Sequence, residues 1–291
     1  RSGGRSADSR SETFGPWRFI EGDSDVGISI TDAEPGSMNT FHVASIERQR
    51  GATLFVEIDE QTEIHVTDPV ELQGGLLPWM TVRDESGQPF NGFGTIVNGQ
   101  VRGLTAIDFV SNVNAANSTD NVFLDAAATL AASTSINALA SNGNMILDLG
   151  GQSLRVASGG INLANGAVIE NGALTAGQDG SGGELIVHGR GRIGANITDN
   201  GGAPVDVTIA AGASTAEVVL VGTNTYTGMT FINDGNLYAQ TADAVPDGAD
   251  MRITGGEFRI GFVATESKHL GTVRIAGGGA FSQQFTGRRG Q

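Results

Sequence analysis

The sequence predicts an all-β chain, a right-handed parallel β-helix (β-solenoid) coiled by a single chain in the pectate-lyase manner and carrying side loops. Three observations predict it. Between Asn121 and Gly228 the chain runs through short apolar segments (Val122–Leu124, Met145–Leu149, Leu154–Val156, Ile161–Leu163, Leu185–Val187, Val205–Ile209) separated by Gly, Asn, Ser and Asp, the pattern of successive strands rather than helices. Glycine pairs at 150–151, 159–160, 182–183 and 201–202 fall where a strand must bend, and glycine supplies positive φ there at little steric cost. The third observation is composition: 44 of 291 residues are glycine and only 6 % are aromatic. Such an interior is built from small aliphatics repeated layer on layer, as in solenoids whose turns contact mainly their neighbours.

The formal charge is −15 and Lys268 is the single lysine. A surface of that sign repels nucleic acid, which is not expected as a partner. Cysteine is absent, so disulfides, thiol catalysis and cysteine metal sites are excluded together. No apolar run approaches the roughly 18 residues of a membrane span, and the N-terminal residues are charged and serine-rich where a signal peptide is apolar. The chain is read as a mature or cut piece of a longer precursor.

Taken in order, residues 1–12 hold three arginines and four serines without a large apolar side chain and read as a flexible lead-in or linker. Residues 13–71 read as an N-terminal cap and first turns. The cap is aromatic, Phe14–Ile20, and the strand-like segments that follow are Gly27–Ile30, Phe41–Ile46, Thr53–Ile58 and Glu63–Val66. Residues 72–285 read as the solenoid proper, with an excursion at 83–103 whose Pro and Gly predict a loop or short hairpin packed on the side. Leu104–Asn114 is spaced for a short helix or another strand. Within the coil, alternation points Leu147, Leu149, Leu154, Val156, Ile161, Leu163, Leu185 and Val187 inward, and Asp148, Arg155, Asn162 and Ile186 outward. Asn137, Asn165, Asn171 and Asn196 are candidates for stacked amide ladders. Residues 286–291 form a polar, basic tail.

Chemistry-bearing residues are sparse. Gly22-Asp-Ser24 has the shape of an esterase nucleophile block, but Asp25 follows where an apolar residue belongs, and His269 lacks an aspartate three residues before it; a turn is the better reading. His42, His65, His188 and His269 are scattered, without the spacing of a zinc pair on a helix, and each reads as a surface-strand histidine. The carboxylate pairs Glu57/Asp59, Asp59/Glu63 and Asp23/Asp25 do not establish two groups facing across a scissile bond. No catalytic residue is assigned. Calcium is the more plausible chemistry: Gly22-Asp-Ser-Asp-Val-Gly27 sets Asp23 and Asp25 in a turn with hard oxygen ligands, although neither an EF-hand loop nor a calcium-binding nonapeptide repeat is present.

Leu220–Leu237, with Gly222-Thr-Asn-Thr-Tyr-Thr-Gly228 followed by Asn233-Asp-Gly-Asn-Leu237, resembles the autotransporter-associated β-strand repeat. Met229 and Asn236 depart from its usual residues, and the turn glycines are kept. Gly74–Trp79, Asp120–Val122, Asp148–Leu154 and Gly172–Leu174 resemble large secreted repeat proteins of planctomycetes and related bacteria, so the likeness spans roughly residues 72–281. It implies a β-helical stalk at the cell surface or outside the cell, and no catalytic residue. The expectation is a non-enzymatic extracellular stalk, fibre or surface-layer component that self-assembles or acts as an adhesin, with surface glycans as possible partners. The alternative is a glycan-binding or glycan-cleaving β-helix, which an exposed line of Trp or Tyr beside paired carboxylates would favour.

Overall fold

The computed structural model describes residues 9–28, 37–84, 92–261 and 268–283. Alternating segments this short cannot bury an apolar face alone, and they bury it here by stacking. The chain is all-β, with 2 % helix and parallel stacked turns that form a β-solenoid of about ten turns. It divides into two compact units, Arg1–Ile20 with Ser24–Ile107, and Asp108–Gln291 with Glu21–Asp23.

The first unit contains β1 (Arg10–Phe14), β2 (Trp17–Phe19), β3 (Asp23–Ile28, all but its first residue), β4 (Asn39–Val43), β5 (Ile46–Arg48), β6 (Thr53–Ile58), β7 (Thr62–Val66), β8 (Leu77–Asp84), β9 (Gly92–Val97) and β10 (Gln100–Gly103). β1, β4 and β7 stack in parallel, as do β2 with β5 and β6 with β8. Two expectations change here. Arg10–Glu12, read as linker, belong to β1, because pairing with β4 satisfies their backbone although every β1 side chain is exposed. The 83–103 excursion does not lie on the side of the coil. Among its described residues, β9 and β10 form an antiparallel hairpin inserted in the sheet, with β10 on β7 and β9 on β8. That hairpin gives hydrogen-bond partners to two strands whose next parallel turn does not follow. Leu104–Asn114 contributes a single 3₁₀ turn, Ala106–Asp108, and one isolated parallel bridge, Val110 with Val122. Ile30 lies outside the described residues.

The second unit contains β11 (Asn121–Leu124), β12 (Ala128–Thr129), β13 (Thr134–Ile136), β14 (Ala138–Ser141), β15 (Ile146–Asp148), β16 (Ser153–Val156), β17 (Gly160–Glu170), β18 (Ala173–Ala176), β19 (Gly183–Ile193), β20 (Asn196–Ile197), β21 (Val205–Ala210), β22 (Glu217–Leu220), β23 (Thr230–Ala239), β24 (Met251–Ile253), β25 (Gly256–Ile260), β26 (Val273–Ile275) and β27 (Ala280–Gln283). Every described pairing between these strands is parallel. One turn advances about 22 residues, as from Leu139 to Ile161, Val187 to Ile209 and Ile253 to Ile275. The register lines up a single interior column, Val122, Leu139, Ile161, Val187, Ile209, Ile232 and Ile253, each 0 % exposed, and then Ile275 at 52 %.

The inward assignments hold, since Leu147, Leu149, Leu154, Val156, Ile161, Leu163, Leu185 and Val187 are all buried. Two outward ones need correction: Asn162 is 9 % and Ile186 1 % exposed. Alternation decides which side of the sheet a side chain leaves from, not whether that side meets water. The glycine pairs also differ in purpose. Gly159 needs glycine twice over, with φ at +85° and room for a Cβ only 1.8 Å from the Glu184 carbonyl oxygen, whereas Gly183 is held to glycine by closeness alone, its Cβ position lying 2.4 Å from the Ala176 carbonyl oxygen.

The column predicts a position-dependent cost. Ile209→Ala should destabilise by about 2–5 kcal/mol and Ile275→Ala by under about 1 kcal/mol, read from denaturant midpoints; equal losses would show that the turns do not rely on a shared interior column.

Candidate functional site

The features with most polar chemistry are the corners of the second unit, where strands end and backbone groups need other partners. The stretch Leu220–Leu237 shows how they are met. Leu220, Ile232 and Leu237 are fully buried in the core. Asn224, 5 % exposed, spans neighbouring turns: its Oδ1 accepts from Ile197 N (2.7 Å) and its Nδ2 donates to Ala244 O (2.6 Å). Tyr226 is 1 % exposed, its hydroxyl 2.8 Å from Thr230 Oγ1, and burial pushes the phenol above its ordinary range against a small opposing effect of that hydrogen bond. A Cβ at Gly235 would stand 2.4 Å from that of Ala211. Each of these positions is occupied by packing or by turn-to-turn bonding.

Aspartates extend the scheme. Asp199 accepts from Val205 N (3.0 Å), Thr227 N (2.8 Å) and Thr227 Oγ1 (2.7 Å), Asp206 from Met229 N (2.7 Å) and Asp250 from Thr272 N (2.7 Å). Of the proposed amide ladder, Asn137 donates to Asn121 Oδ1 (2.7 Å), whereas Asn196 accepts from Thr223 N (2.8 Å) and Asn171 takes a turn conformation at φ 59°. Charged side chains pair between turns with alternating sign: Arg192 with Glu170 (3.3 Å) and Arg259 with Glu217 (3.4 Å) in the second unit, Arg18 with Glu47 (2.8 Å) and Arg83 with Glu57 (3.1 Å) in the first. The alternation is not general, since Asp148 lies in register with Glu170 and Arg252 with Arg274. Glu257 is held below the usual carboxylate range by a hydrogen bond from Ser282 and by Arg259.

One open cleft of about 240 Å³ lies in the second unit, lined by Glu21, Gly22, Asp23, Asn233, Thr254, Gly255, Ala276 and Gly277. Its oxygens are hard ligands, but Glu21 is paired with Arg252 at 3.2 Å. Gly22–Gly27 is not the turn expected: Asp23 and Asp25 lie in β3, with Asp25 exposed. Among the described residues no group of three or more His, Cys, Asp or Glu side chains is arranged to hold a metal ion.

The other candidates are placed as follows. Ser24 lies within β3, and His269 lies in the loop before β26, its carbonyl accepting from Gly248 N (2.9 Å). Glu57 pairs with Arg83, Asp59 accepts from Gln61 N (3.1 Å) and Glu63 meets His65. His188 is buried at 5 % exposure. His42 and His65, read as unrelated, are in register on adjacent strands, with ring centroids 5.8 Å apart. A signal for this was present in Phe41-His-Val43 and Ile64-His-Val66, the same apolar–His–Val text one turn apart.

No family model, curated protein or solved structure matches the chain.

Two measurements check the corner chemistry. Tyr226 should stay protonated through the ordinary tyrosine range while the protein is folded, and ionise only as the chain unfolds. Its raised value makes a contribution to stability that is complete below the unfolded value and is lost as pH rises beyond it; an absorbance titration in which Tyr226, identified against Tyr226→Phe, ionises in the ordinary range with the fold intact would contradict this. Asn224→Ala, which strands two backbone groups, should cost about 2–4 kcal/mol in denaturant unfolding, and a neutral result would remove Asn224 from the account.

Proposed function

We propose that this protein is a non-enzymatic structural β-solenoid, an extracellular or cell-surface stalk, fibre or surface-layer element whose work is mechanical. The observation that carries the reading is where the polar side chains go. Asp199, Asp206, Asp250, Asn224 and the Arg192–Glu170 pair bond one turn to the next, and Arg259 reaches Glu217 two turns back. A rod needs such bonds along its length, and a catalytic groove needs the same residue types turned toward a substrate. The resemblance of Leu220–Leu237 to the autotransporter-associated repeat supports the same reading, as does the burial of two aromatic platforms that glycan recognition would use, Trp79 at 5 % and Tyr226 at 1 % exposure. An acidic surface keeps such rods apart or bridges them through cations.

Electron microscopy of the purified protein, alongside a screen of acidic and neutral polysaccharides for cleavage and binding, tests the proposal. Filaments, a lattice or uniform rods without glycan turnover are expected. Saturable cleavage of a polysaccharide, abolished by a carboxylate substitution, would overturn it in favour of a glycan-active β-helix.

A further inference from the structure

We propose that His42 and His65 form a two-nitrogen binding site for a borderline divalent cation of the Zn²⁺, Ni²⁺ or Cu²⁺ class, on the outer face of the β1–β4–β7 stack. The inference does not depend on the stalk reading. Parallel pairing sets His42 of β4 directly beside His65 of β7, and the residues on either side of each, Phe41 and Val43, Ile64 and Val66, are likewise in register. Val43, Ile64 and Val66 are buried, so alternation fixes both imidazoles on the opposite face of the same sheet. The rings are tilted by 39° with centroids 5.8 Å apart, and His65 is 31 % exposed. That spacing lets one ion reach a nitrogen on each ring after small side-chain rotations, with metal–nitrogen bonds of about 2.0–2.1 Å for zinc.

Glu63 makes the pair more than two neighbouring rings. Its Oε2 lies 3.0 Å from His65 Nε2. An ionised carboxylate only accepts, so Nε2–H donates and the neutral imidazole keeps its lone pair on Nδ1. A carboxylate on the far nitrogen is the arrangement that orients metal-binding histidines and raises their basicity. The same column continues as Thr13 on β1 and Gln100 on β10, both uncharged. Arg102, two residues beyond Gln100 on β10, donates to the Gly103 carbonyl at 3.0 Å. Among the described residues on this face, the charged and titratable groups on the adjoining strands are Glu63, the two histidines and Arg102, which the antiparallel pairing of Gln100 with His65 sets opposite Glu63. Two imidazoles select nitrogen-preferring ions over calcium and magnesium, with water completing the coordination. An arrangement of two protein nitrogens is consistent with the lack of a three-residue metal cluster among the described residues.

Isothermal titration calorimetry of the untagged full chain with ZnCl₂ and with NiSO₄ at pH 7.5 provides the test. One site per chain is expected, insensitive to millimolar calcium. His42→Ala and His65→Ala should each weaken it at least about tenfold, and His269→Ala should leave it unchanged. With Cu²⁺, paramagnetic resonance should report two equivalent-type nitrogen ligands in the parent and one in either variant. Circular dichroism checks that the variants fold, and Glu63→Gln, which leaves both imidazoles in place, should weaken binding without abolishing it. Absence of zinc and nickel binding, or binding that survives both histidine substitutions, would overturn the proposal.

Discussion

Backbone hydrogen bonds between turns run along the stack, and each strand can make them only if the strand before it arrives in register. Everything else in this protein depends on that constraint. It requires that like side chains meet like along a column, because a residue is flanked by its counterparts one turn back and one turn on. The interior answers with β-branched and leucine side chains from Val122 to Ile253. Such side chains are stiff at χ1 and suit a pleated, fully buried surface. On the outside of the first unit, Arg83 stands in register beside Glu57 and Arg18 beside Glu47, so opposite charges meet there. Exposed pairs of this kind contribute little each, about 0–1 kcal/mol, so their value lies in keeping the stack in register as much as in stability.

The corners are the second consequence. A coil must turn sharply several times per cycle, and at each corner some backbone groups leave the ladder. Asn224, Asp199, Asp206 and Asp250 satisfy those groups from neighbouring turns. The residues richest in potential chemistry are thereby engaged in construction, which is the physical basis for reading the molecule as a structural element. The β9–β10 hairpin answers a related need in the first unit, where β7 and β8 receive antiparallel partners in place of another turn.

Much of the fold was legible because period-two alternation and glycine punctuation are local signals. The inward column from Leu147 to Val187 could be read from single strands, and so could most bends. What escaped was whatever depends on which residues become neighbours across turns. Turn lengths differ, the step from Val122 to Leu139 being shorter than that from Ile161 to Val187, so the pairing of His42 with His65 could not be fixed by counting. The burial of Ile186 and Asn162 escaped for another reason, since alternation is silent about what covers the outer face. Asp23 and Asp25 were misread because an acidic, glycine-flanked segment has turn chemistry, yet β3 finds its place in the sheet of the first unit, and tertiary pairing overrode the local preference. The corner partners of Asn224 and Asp199 had no sequence signal beyond their residue type.

Residue-resolved native-state hydrogen exchange tests most directly the claim that each turn is held by its neighbours. Amides of β17, β19, β21 and β23, with turns stacked on both sides, should be the slowest to exchange, and protection should fall progressively through β24 and β25 to β26 and β27. Uniform protection from Gly160 to Gln283, or a last turn as protected as the centre, would contradict a structure stabilised turn by turn.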